Sequence, residues 1–177
     1  MSARSGIGYD SHRLEGGRPL VLGGVEVPNA TRGLVGHSDA DVLAHAVIDA
    51  LLGSAGLGDI GQHYPDTDER WRDADSLVLL REVCGFLSEH GWTVRHLDTT
   101  VICEAPKLGP HRDAMRVSLS DAVGLAPLEV NVKFTTNEGM GFIGRAEGIA
   151  ALAVATVERN AKDSASVPNL SGDSPAD

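Results

Sequence analysis

The chain has 177 residues, a formal net charge of −10, 42% hydrophobic and 4% aromatic residues. That length suits one domain with a core needing no staples. So acidic a chain, so poor in aromatics, is not expected to present a nucleic-acid surface, a base-stacking platform or an anionic membrane patch. An anionic substrate would need localised positive charge, and bound metal ions are the candidates.

Cys84 and Cys103 sit in apolar stretches and read as reduced core thiols. The N-terminus has no apolar signal-like core, and the longest apolar run, Ile149 to Val157, is too short to span a bilayer. A soluble, cytoplasmic protein is expected.

In chain order, Ser5 to Asp10 reads as a strand, and residues 20–27 as a hairpin around Gly23-Gly24. Ser38 to about Leu52 reads as a helix capped by Ser38, with Asp41 three residues on. Residues 53–72, rich in Gly, Asp and Pro, form a long loop, a length that favours function. Ser76 to His90 is a helix stopped by Gly91, Thr93 to Cys103 a strand, Pro110 to Val123 a helix ended by Gly124. Leu128 to Thr135 alternates as a strand. Gly148 to Glu158 has helical propensity in its alanines. It is nevertheless expected as a strand buried on both faces, the return arm of a long hairpin. Residues 161–177, with four Ser and two Pro, are expected to be a disordered tail after a domain over 1–160.

Asp10 and His12, two apart on a strand, project from one face. Asp41, His45 and Asp49 share a helical stripe off the main apolar face. Asp10, His12 and His45 together would make a two-His, one-carboxylate metal site with an open position, with Asp49 available to orient an imidazole. The plainer reading makes Asp41 and Asp49 solvated charges, and the spacing does not separate zinc from non-haem iron. The loop from Gly58 to Asp68 suits a polar ligand or an acidic surface turn; His63 is expected to face solvent. Glu104 to Pro110, a strand-to-helix turn with Lys107, can hold phosphate. Thr135 to Arg145 offers two hydroxyls, a carboxylate, an Arg and three glycines to phosphate and a hard cation. Its glycines match neither a Walker loop nor a dinucleotide fingerprint.

Taken together, Gly6-Ile7-Gly8-Tyr9-Asp10-Ser11-His12, His37-Ser38-Asp39 with His45, Asp59-Ile60-Gly61 with Pro65-Asp66-Thr67-Asp68, Ala105-Pro106-Lys107, and Thr135-Thr136-x-Glu138 with Gly144-Arg145-x-Glu147-Gly148 resemble the 2-C-methyl-D-erythritol 2,4-cyclodiphosphate synthase family, from about residue 4 to 158. The resemblance implies an α+β two-layer sandwich, a mixed sheet with helices on one face, assembled as a homotrimer with active sites between subunits. It implies zinc on Asp10, His12 and His45, and a second divalent cation, Mg²⁺ or Mn²⁺, on Glu138. It implies that Ala105, Pro106, Lys107, Leu108, Phe134, Thr135 and Thr136 hold a cytidine diphosphate-linked substrate. His37, Ser38, Asp59, Ile60, Gly61 and Asp66 would hold its methylerythritol part, with Asp10, Phe142 and Arg145 also at the substrate. His37, Asp59, Thr136 and Glu138 are the implied catalytic set. Tyr9, Arg145 and Glu147 match positions lining a cavity on the trimer axis, where isoprenoid phosphates can bind. Tyr64 stands where Phe is common and Phe134 where a small residue is common, and at this length no fused cytidylyltransferase domain is expected. The absence of a Ser/His/Asp or Cys/His arrangement fits an intramolecular reaction. A metallo-phosphodiesterase, a non-haem iron oxygenase and a metal-stabilised binding module are the alternatives.

Overall fold

The structure, a computed structural model, describes residues 2–160; the expected tail over 161–177 lies outside the described residues. Seven strands run β1 (Ala3–Gly16), β2 (Val21–Leu22), β3 (Val25–Glu26), β4 (Arg32–Val35), β5 (Trp92–Ile102), β6 (Val130–Thr135) and β7 (Gly148–Arg159). The helices are α1 (Val42–Ala55), α2 (Ile60–His63), α3 (Ser76–Glu89), α4 (Arg112–Val123) and α5 (Gly141–Gly144). One sheet of order β4-β1-β7-β5-β6 is antiparallel except for the parallel β5–β6 pair, and β2–β3 form the separate hairpin expected around Gly23-Gly24. The fold is therefore α+β with a mixed five-stranded sheet. No helix of the described residues is long and apolar enough to cross a membrane.

Helix α1 packs along β1 and β7 and is buried nearly all round. Two glycines of β1 let it approach. A Cβ on Gly6 would lie 2.2 Å from the Ala50 carbonyl oxygen, and one on Gly8 2.0 Å from that of Ala46. Across the sheet, Gly6, Gly8 and Asp10 pair with Ala155, Ala153 and Ala151, so a strip of small residues lies beneath the helix. The opposite parity, Ile7, Tyr9 and Val154, points to the other face and is exposed.

Several sequence expectations change. The first strand runs well past Ser5–Asp10, because it pairs with β7 from Ala3 to Arg13 and then with β4 from Arg13 to Gly16. Ser38 is not the cap of α1. Asp41 is: its buried carboxylate accepts from Leu43 N and Ala44 N, and also from Gly23 N and Gly24 N at 2.8 and 2.6 Å. It thus ties the hairpin turn to the helix start and is no solvated charge. Burial pushes its pKa up against the pull of these amides. The expected loop over 53–72 contains the end of α1, all of α2 and a 3-10 turn at Glu69–Trp71. Helix α4 begins at Arg112 after a 3-10 turn, and β6 begins at Val130 after another. Residues 148–158 form a strand as expected, but not as the return arm of a hairpin with β6. β7 enters the centre of the sheet between β1 and β5. Its Val154 is exposed in the single chain, so the second face is only partly covered.

Candidate metal centre and adjoining cavities

Even-numbered residues of β1 face α1, so Asp10 and His12 follow Gly6 and Gly8 on one side, opposite His45 of α1. His12 Nε2 lies 2.9 Å and His45 Nδ1 3.0 Å from Asp10 Oδ2, and the two nitrogens are 3.2 Å apart. Among the described residues this is the one such cluster whose ligand atoms converge, within 4.8 Å.

The outer nitrogens show what the inner ones can do. His12 Nδ1 is 2.7 Å from the Val35 carbonyl, which can only accept, so that nitrogen carries the proton. His45 Nε2 lies 2.9 Å from Ser76 Oγ, whose own proton is given to Asp39 Oδ1; the Ser76 oxygen therefore accepts from His45. Each ring thus turns a lone pair inward, toward the Asp10 carboxylate. Three acceptors facing one another with no proton between them are repulsive until a cation joins them, and outer bonds of this kind fix tautomer and ring orientation at metal sites. The residues fit a divalent metal with two imidazoles, one carboxylate and an open position. Without a metal, a proton on an inner nitrogen takes the cation's place: burial raises the Asp10 pKa, but the bonds then donated from His12 and His45 outweigh it and hold the carboxyl below its usual range. Burial lowers that of His12, and the bond and charge of Asp10 outweigh it and raise the value.

The cluster opens into a cavity of about 480 Å³ lined also by Gly36, His37, Ser38, Asp49, Ile60, Gly61, Tyr64, Pro65, Asp66, Trp71 and Leu79. Of the expected residues, Asp10, His12, His37, Ser38, His45, Ile60, Gly61 and Asp66 meet there. Asp49 does not orient an imidazole through a hydrogen bond; its carboxylate accepts from Ile60 N and anchors the start of α2. Asp59 caps α2 through Gln62 N and does not line the cavity. His63 does not face solvent freely: it bonds the Leu57 carbonyl and packs against Phe86, away from the metal cluster. Sequence reasoning did not assign Ser76 or the Val35 carbonyl. A serine one residue past the Asp75 cap of α3 looks like any helix start, and a carbonyl leaves no trace in sequence.

A second cavity of about 190 Å³ is lined by Pro106, Lys107, Leu108, Phe134, Thr135 and Thr136, six residues the resemblance assigns to the substrate, joined by Cys103, Gly109 and Arg112. The Arg112 guanidinium sits 5.2 Å from the Phe134 ring centre. Ala105 lies behind it, in a small cavity with Leu14 and Arg32. Glu138 lines neither of these two cavities and takes a hydrogen bond from Thr136 Oγ1 at 2.9 Å. Phe142 and Glu147 line a third, with Ser11 and His12, and Arg145 donates to Glu147 at 2.7 Å. Tyr9 is exposed on the uncovered sheet face. One chain therefore keeps the metal cluster and the 106–108/134–136 pocket in separate cavities. Cys84 and Cys103 are free thiols, as expected, with pKa values pushed up by burial to about 12 and about 11.

The YgbB family model matches residues 3–158. The chain is 59% identical over 152 residues to 2-C-methyl-D-erythritol 2,4-cyclodiphosphate synthase of Symbiobacterium thermophilum, covering 86% of this chain and 96% of that one. It is 55% identical over 157 residues to a bifunctional enzyme of Anaeromyxobacter dehalogenans; there it covers 89% of itself but spans only 40% of the relative's length. A solved structure of 2C-methyl-D-erythritol-2,4-cyclodiphosphate synthase in its CDP-bound form superimposes with a TM-score of 0.80 at 42% identity, over 88% of this chain and all of that one.

Proposed function

The chain belongs to the YgbB family, and from that membership we propose that it converts 4-diphosphocytidyl-2-C-methyl-D-erythritol 2-phosphate into 2-C-methyl-D-erythritol 2,4-cyclodiphosphate and CMP, a step of isoprenoid biosynthesis. The observation that carries this reading to the site is the convergence of inward lone pairs from Asp10, His12 and His45. An oxygen of the 2-phosphate attacks the β-phosphorus, a new P–O–P linkage closes the ring, and the bond to the CMP oxygen breaks. No protein nucleophile is needed. The chain's work is positioning, so that entering and leaving oxygens are in line. Asp10, His12 and His45 hold zinc, and Glu138 holds Mg²⁺ or Mn²⁺; bound there, the ions supply positive charge to crowded phosphate oxygens. Lys107, Thr135 and Thr136 bind the diphosphate, and Phe134 and Leu108 border the base. His37, Ser38 and Asp66 line the cavity that takes the methylerythritol part. Such localised charge reconciles an anionic substrate with a net charge of −10.

The active assembly is a homotrimer with each site completed by a neighbour. Two features support it: the two halves of the site lie in separate cavities of one chain, and an apolar band with Ile7, Tyr9 and Val154 is exposed on the sheet face away from the helices. The Arg145–Glu147 pair and Tyr9 would then approach the trimer axis, where an isoprenoid phosphate can bind. Incubation with the cytidyl substrate, followed by phosphorus NMR, tests the function. A cyclic diphosphate and CMP in equal amounts are expected; an open phosphate product would mean water is the nucleophile.

A further inference from the structure

We propose that Glu104 is a positioning residue for the cation-binding carboxylate of Glu138, an inference that rests on the role given to Glu138 above. The turn that carries Glu138 is unusual. Met140 N donates to Asn137 O at 2.9 Å, and the two residues between, Glu138 and Gly139, both have positive φ, 50° and 76°. Gly or Asn is the ordinary choice at such positions, because a side chain with a Cβ crowds the following carbonyl there. The turn therefore presents a carboxylate against its own local preference, and something else must hold the backbone.

Glu104 does so. Its Oε1 accepts from Asn137 N at 2.8 Å and from Gly139 N at 3.3 Å, the amides on either side of Glu138. Its own place is set by Cys103 N, which donates to Thr135 O at 2.9 Å and extends the β5–β6 ladder to the loop. The Glu138 side chain is in turn oriented by Thr136 Oγ1. Glu104 immediately precedes Ala105-Pro106-Lys107-Leu108. One carboxylate thus joins the nucleotide loop to the cation loop. Without it the two amides turn to water, the left-handed conformation loses its support, and Glu138 swings from its place.

The test uses the full-length, zinc-loaded protein and three variants: Glu104→Ala, Glu104→Gln and Glu138→Gln. Amide exchange at Asn137 and Gly139 is followed by NMR, and Mn²⁺ binding in the presence of CDP by electron paramagnetic resonance. Glu104→Ala is expected to free both amides and weaken Mn²⁺ binding about three- to tenfold, with zinc content unchanged. Glu104→Gln, whose amide oxygen still accepts, is expected to restore both. If Glu104→Ala disturbs folding, shown by lost zinc, Glu104→Ser takes its place. Unchanged Mn²⁺ binding in Glu104→Ala, while Glu138→Gln weakens it, overturns the role of Glu104 alone. A Glu104→Gln protein as impaired as Glu104→Ala overturns it too, because charge rather than hydrogen bonding would then be the requirement. Unaltered binding in Glu138→Gln removes the reading of Glu138 and this proposal with it.

Discussion

Gly8 of β1 lies directly against the Ala46 carbonyl of α1, with 2.0 Å between that oxygen and the place a Cβ would take. His45 stands one residue before Ala46, and Asp10 two residues after Gly8 on the same strand face. The close contact that packs the helix therefore also sets the spacing of Asp10, His12 and His45 in the candidate metal cluster. Gly8→Ala must push α1 outward. A loss of about 3 kcal/mol of stability is expected, the upper part of the range for overpacking, together with weaker zinc binding. Chemical denaturation and zinc titration check this; a variant with unchanged zinc affinity would separate packing from ligand geometry.

Metal-free and zinc-loaded protein should respond to pH in opposite directions. The His12 pKa is raised in the folded metal-free chain, its bond to Asp10 outweighing burial. That contribution is complete below the unfolded value of about 6.5 and fades as pH rises through the folded one. Asp10, lowered, contributes above the ordinary carboxyl range and loses its effect only in acid. Metal-free protein should therefore melt higher at pH 6 than at pH 8.5. Zinc-loaded protein should instead lose metal and stability as pH falls from 8.5 to 6, because protons compete with the metal for its imidazole ligands. Melting curves with and without chelator decide it, and parallel trends would count against the ligand assignment. His45→Ala should bind no zinc and leave only the chelator-insensitive curve.

Phe134 and Arg112 form one wall of the smaller cavity, the guanidinium over the ring at 5.2 Å. Truncation removes both the wall and the surface that holds Arg112. Phe134→Ala is expected to raise KM for the cytidyl substrate several-fold with kcat little changed, the mark of binding lost equally in ground and transition states. A fall in kcat alone would contradict it.

Val154 is 41% exposed on the central strand, in register with Ile7, itself 70% exposed. A trimer built on this face buries both. Val154→Asp should dissociate it, which light scattering would detect, and should abolish turnover while leaving the zinc ligands in place. Dissociation should also bare apolar surface and promote aggregation. A wild-type chain that is a folded monomer at micromolar concentration would refute the assembly.

The order of elements was legible in the sequence because local chemistry writes it. Alternating Val130, Val132 and Phe134 mark a strand, and Gly124 ends α4 as its sequence suggests, whereas the end of α1 at Gly56 lies beyond the Leu52 expected. Part of the candidate metal cluster was legible too, since Asp10 and His12 share a face by strand geometry alone. The cap of α1 was not. Ser38 and Asp41 are equally good caps on paper, and what chose Asp41 was the hairpin turn at Gly23-Gly24, whose amides converge on its carboxylate.

Sequence by itself determined most of the strand–helix order through short-range periodicity, carried the family resemblance in its separated motifs, and offered Asp10, His12 and His45 as one candidate set beside the plainer reading of solvated charges. Tertiary structure alone decided the rest. It placed β7 between β1 and β5 rather than beside β6, put Ser76 and the Val35 carbonyl on the outer nitrogens of the imidazoles, and set Glu104 beneath the turn of Glu138. These are contacts between residues far apart in the chain, made by backbone groups or by side chains whose partners no local pattern encodes.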